Sequence, residues 1–261
     1  MELAAAGVPE SDVERAWRRV GRTSGYVVAG GLLLATVLYL LDATHASGAD
    51  PSYHATAAGP LQDEANFWVA YFAHKHHILW DIIARDTVFP VAFVALAVVA
   101  LAIRRLVGSE DPRVQLLTLF FVLGGVVSAL SDLLYLAVAE YWRVTGWSVT
   151  PPERMVAIGR SSETIEHLTV WIEPAGFVLL AAGLVCLTQL CRARAELPSA
   201  LGVVAGVEAL LLVGIAIAGV THADTAYNVF SLLTGALVGP AVGAWLGWHL
   251  GRSTFGRPRT M

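Results

Sequence analysis

The sequence predicts an all-α fold: a polytopic membrane helix bundle of about six transmembrane helices plus an outer amphipathic helix. Three observations carry this. The 261 residues are 56% hydrophobic and 15% charged, with a mean hydropathy of +0.62, whereas a soluble domain carries about 25% charge. The apolar residues fall into windows long enough to cross about 30 Å of hydrocarbon. The arginines sort to one side of those windows: Arg15, Arg18, Arg19, Arg22, Arg104, Arg105, Arg113, Arg192, Arg194, Arg252, Arg257 and Arg259. Only Lys75, Arg85, Arg143, Arg154 and Arg160 fall on the other side.

Residues 1–23 read as a cytoplasmic amphipathic lead, with Ser11 or Asp12 as helix cap. Residues 24–251 read as one helix-bundle domain, and 252–261 as a basic tail. Span one covers about 25–42 and has no small-residue cleavage site, so it reads as retained. A Gly-, Pro- and Ser-containing loop follows over 43–62. Residues 63–86 are aromatic and amphipathic, and 43–86 together form an outer segment that reads as a lid or an interfacial helix. A seventh span over 64–84 is disfavoured by Lys75, Asp81, Arg85 and Asp86. Spans two to six are expected near 87–105, 114–138, 161–191, 199–221 and 226–250. The fourth is too long for one crossing, so its first turns should rise out of the bilayer. Six spans put both termini on one side, and the arginine bias makes that side cytoplasmic, in a bacterial plasma membrane. Single arginines flanking spans are not a nucleic-acid surface, so no nucleic-acid partner is expected. Cys186 and Cys191 fit packing better than a disulfide framework.

Acids and histidines gather on the side opposite the arginines. His45, His54, His74, His76, His77, His167 and His222 fall there, and only His249 does not. In span four, Glu163 and His167 are one turn apart, and Glu166 and Glu173 share a face. Asp132 lies in span three beside Ser128, Ser131 and Tyr135. Glu208 lies mid-span five, and Asn228 and Ser231 open span six. An ionised carboxylate costs roughly 2.5–3.5 kcal/mol or more at bilayer depth, so such residues mark either a polar network between helices or a functional site. The acids outnumber their candidate partners, Arg85, Arg160 and His167. Some are therefore expected to be protonated, the state in which a carboxyl acts as a general acid.

Asp132 and Glu163 are the first candidates for proton donor or relay, with Glu166, His167 and Glu173 second. Trp171, Tyr135, Trp80, Trp142 and Asn228 are candidates for lining the substrate cavity. No cofactor is expected. A competing metal-hydrolase reading uses His77, Asp81, Glu163 and His167 as a mixed N/O site, with His77 and Asp81 one turn apart. Haem ranks lower because His167 and His222 sit only at span ends. The only lysine, Lys75, lies outside any deep span, which excludes a retinal Schiff base.

Residues 114–250 resemble the emopamil-binding-protein type of sterol isomerase. Glu163-Thr164-Ile165, then Trp171 and Pro174, match that family's Glu-Thr-Ile run with its following Trp and Pro. Asp132 matches the acid of the preceding helix, while Ser128 and Val238 replace the family's His and Trp. The general organisation also resembles uncharacterised six-span bacterial membrane proteins. The resemblance implies a small helix bundle that shifts a double bond by protonation and deprotonation. Sequence chemistry and resemblance meet in one expectation: an intramembrane isomerase or terpene-cyclase-like enzyme working on an isoprenoid or sterol-like lipid. A non-catalytic lipid-binding or accessory membrane protein is the alternative.

Overall fold

In a computed structural model, residues 11–45, 51–144 and 146–252 are described, with the side chains of 42–45 excepted. The side chain of His45, together with Arg257 and Arg259, lies outside these. Long helices run over Asp12–His45 (α1), Pro60–His77 (α2), Leu79–Val107 (α3), Pro112–Arg143 (α4), Pro152–Ala193 (α5) and Ser199–Val220 (α6). Asp224–Leu233 (α7) and Gly239–Arg252 (α8) are joined by a π-helical turn, Thr234–Val238. No strand occurs among the described residues. Six helical stretches are long and apolar enough to cross a membrane: α1, α3, α4, α5, α6, and α7 with α8. The predicted fold class and span number therefore hold.

The boundaries differ from expectation in three places. From Asp12 on, the expected lead is continuous with the first span, because α1 runs without a break over Asp12–His45. It is started by a reciprocal capping box: Glu14 N–H donates to Ser11 Oγ, and Ser11 N–H donates to Glu14 Oε2. The helix that carries the second span begins at Leu79, ahead of the crossing expected near 87, because the chain turns at Ile78 (φ −105°, ψ 7°). The loop expected at 139–160 is shorter, since α4 continues to Arg143 and Pro152 starts α5 at its first position.

Consecutive spans pack side by side, and α1 closes the bundle against both α3 and α8. Small residues permit this closure. A Cβ on Gly25 would stand 2.5 Å from Gly247 Cα, and one on Gly243 would stand 3.0 Å from Gly25 O. The main core joins α3, α4, α5, α6 and α8 through Ile103, Leu117, Phe121, Leu187, Leu201 and Leu246. A second cluster lies at the other end, where α2 covers α4 and α5 through Trp68, Phe72, Trp142 and Met155. The first turns of the 42-residue α5 thus leave the bundle core, as its length required, and pack on α2. Gly159 receives the Trp68 ring where any Cβ would overlap it. Arg160 completes the contact with two bonds to Glu64, at 2.7 and 2.8 Å.

Candidate functional site

Every span contributes to one partly open cavity of about 480 Å³. Its walls are mostly apolar: Val28, Leu32, Phe89, Phe93, Leu96, Phe121, Phe177, Leu180, Leu184, Leu212 and Ile215. Its polar groups fall at two depths. Asp86, Asp132 and Glu173 each stand 20 or 21 residues from the end of their helix at the face carrying Asp12 and Arg252. At 1.5 Å per residue that is about 30 Å, so they share one level at the far edge of the hydrocarbon layer. Glu208 stands only nine residues into α6, about 14 Å from the same face and near the bilayer midplane.

At the upper level, Arg85 binds its neighbour Asp86, with Nε–Oδ1 at 2.7 Å and Nη2–Oδ2 at 3.4 Å. Asp86 is buried. Tyr227 on α7 donates its hydroxyl to Glu173, 3.3 Å from each carboxylate oxygen. Asp132 Oδ2 is buried with no hydrogen-bond partner. Beside it, Ser131 Oγ donates to Thr169 O at 3.5 Å. Tyr135 lines the wall and meets Trp142 edge to face, with ring centroids 5.5 Å apart. Pro90 and Pro174 cannot donate to the carbonyls four residues earlier, those of Asp86 and Val170, which adds polar character at this level. His222 adopts φ +54°, a left-handed conformation rare outside glycine, and contributes to the cavity wall where α6 gives way to α7.

Of the residues expected to act, Asp132, Glu173 and Tyr135 line this cavity. The others do not. Glu163 and His167 are exposed on the outside of α5, 4.0 Å from one another. Ten residues separate Glu163 from Glu173, which turns its side chain about 80° off the cavity face. Glu166 does share that face with Glu173, but two turns higher. There it meets α2 instead, accepting from Tyr71 (3.2 Å) and Ser162 (3.3 Å). Trp171 is 65% and Trp80 74% exposed, on outward faces. Trp142 is buried in the α2 cluster behind Tyr135. Asn228 sits one layer out, accepting from the cavity residue Tyr39 at 2.6 Å.

The proposed metal ligands also part. The chain turns at Ile78, so His77 ends α2 while Asp81 belongs to α3, and the helical step that placed them on one face does not exist. Among the described residues, no three His, Cys, Asp or Glu side chains converge as a metal site. The lid expected at 43–86 covers the bundle differently. α2 contributes no wall residue, and among the described residues of this segment only Arg85 and Asp86 reach the cavity.

Sequence reasoning did not single out Asp86, Tyr227 or Tyr39. Asp86 is legible as an acid entering an apolar run, but it counts there with Lys75, Asp81 and Arg85 among the charges that disfavour a seventh span. The tyrosines carry no sequence signal, because aromatic residues are common at membrane interfaces.

The fold and site thus define a polytopic α-helical membrane bundle enclosing an apolar, acid-bearing cavity. No family model, curated protein or solved structure matches the chain, so the resemblance to sterol isomerases rests on the quoted residues alone.

Proposed function

We propose that the cavity holds a hydrophobic isoprenoid or sterol-like molecule and isomerises or cyclises it by acid-initiated carbocation chemistry. One observation carries this reading: a carboxyl oxygen of Asp132, without a partner, at the polar end of a long aromatic-walled cavity. In this reading Asp132 is the proton donor to an alkene carbon, or to an epoxide oxygen whose C–O bond then opens to the cation. Glu173, already an acceptor for Tyr227, takes the proton lost from the resulting cation. Phe89, Phe177 and Tyr135 offer π faces that stabilise positive charge. The Arg85–Asp86 pair orients the polar end of the substrate. The retained arginine asymmetry further supports a bacterial plasma membrane with both termini cytoplasmic.

Purified protein in lipid, incubated in D2O with polyprenyl and sterol alkenes, tests the reaction. Wild type should place solvent deuterium in the product. Asp132→Asn should lower turnover by about 10²–10⁴-fold, the usual contribution of a positioned acid. Wild type that binds these lipids without converting them would instead support the lipid-binding alternative. Equal turnover by the variant would remove Asp132 from the chemistry.

A further inference from the structure

Glu208 plays no part in the reaction proposed above, yet it is the more deeply placed acid. It is 5% exposed, and its Oε2 is fully buried with no hydrogen-bond partner. Across the cavity floor lies the π-turn of the last span, where Thr234 is 9% exposed and its Oγ1 is likewise buried without a partner. The turn widens the helix, so that Gly239 N–H donates five residues back to Thr234 O. Gly239 is where the two oxygens approach each other. A Cβ there would stand 2.7 Å from Thr234 O, 3.0 Å from Glu208 Oε1 and 2.8 Å from the Leu32 Cδ1 methyl, so both oxygens lie close to one point beside Leu32. Thr36 Oγ1 approaches from α1 against Gly235, while donating to Leu32 O at 2.8 Å.

We infer that Glu208, Thr234 and the Thr234 carbonyl form a binding site for a monovalent cation of sodium size at the broken turn of the last span. The ligand chemistry fits a hard cation, being oxygen throughout: carboxylate, hydroxyl and backbone carbonyl. The charge fits as well. One carboxylate neutralises one monovalent ion, whereas a divalent ion would leave a net charge near the bilayer midplane, where charge is costly. Non-regular helical turns supply carbonyl ligands to cations elsewhere at membrane depth, and Thr234 O, with two lone pairs, can accept from Gly239 N–H and still face an ion. Two buried oxygens on different spans, each lacking a donor, are satisfied by one bound ion.

Equilibrium binding of ²²Na⁺ to the purified full chain in detergent tests the site, with choline chloride holding the ionic strength. Wild type should bind close to one Na⁺ per chain, displaced by Li⁺ but not by choline. Thr234→Val, which keeps the side chain's shape and removes its oxygen, should weaken binding about tenfold. Glu208→Gln should abolish it, and Asp132→Asn should leave it unchanged. Absence of saturable Na⁺ binding by wild type would overturn the inference and leave the proton as the only occupant of Glu208. Binding unchanged in Thr234→Val would also overturn it. If Glu208→Gln fails to fold, the comparison of Thr234→Val with wild type decides. The outcome is independent of the deuterium experiment, because neither Na⁺ binding nor its loss requires turnover.

Discussion

Asp132 and Glu163 carry the same functional group, and only their directions separate them. Asp132 points to the cavity with Oδ2 unpartnered, whereas Glu163 faces outward near His167. Glu163→Gln is therefore expected to change turnover by less than about twofold, within the ±0.5 kcal/mol typical of surface substitutions. A loss as large as that of Asp132→Asn would return Glu163 to the site. Glu64 gives a pH prediction at the same scale. The Arg160 guanidinium holds its carboxyl below the usual range. A folded value below the unfolded 4.5 means stability present above that pH and lost as pH falls through the folded value. Because Arg160 is exposed, solvent screens the pair and its contribution is small. The protection factors of α2 amides, with the intrinsic pH dependence of exchange divided out, should fall as the pH drops below 4.5 in wild type and show a weaker pH dependence in Glu64→Gln. Identical profiles would mean that the apolar α2 cluster alone docks the helix.

Among the elements, the join between α6 and α7 is the strained one. Helix α6 ends with Ala223 N–H reaching Ala218 O, and His222 stands in the left-handed position that glycine usually fills. His222→Gly should relieve that conformation and raise stability by about 1 kcal/mol. Chemical denaturation in detergent would show it, and no gain would mean the His222 side chain compensates through contacts of its own. The α1–α8 seam behaves oppositely. Gly25 touches Gly247 backbone directly, so Gly25→Leu must separate the helices and should cost at least about 1–3 kcal/mol. At this scale, helix existence was legible because runs of apolar residues have few alternatives in lipid. Helix ends were not, since α2 and α3 part at Ile78, in a stretch whose periodicity reads as one amphipathic helix.

For the molecule as a whole, the six spans bring the last turn of α8 against the first half of α1, with Gly251 packed against the Arg22 side chain. The proposed orientation, drawn from the arginine distribution, puts both on the cytoplasmic side. With Cys186 and Cys191 replaced by serine, Thr150→Cys should react with an impermeant maleimide in intact cells, and Ser109→Cys should not. The reverse pattern would invert the topology. The amino-acid sequence by itself determined the membrane class, the span number and the existence of an acid excess on one side, because length, hydropathy and charge are properties of composition and order. Tertiary structure decided which acids share a space. Asp86, Asp132 and Glu173 meet because three helices place them at equal height and turn them inward. Glu163, Glu166 and His167, a few residues away in the same helix, are carried by its 100° step to α2 or to the outside. Convergence depends on rotation and height across different helices, and no single stretch of sequence contains that information.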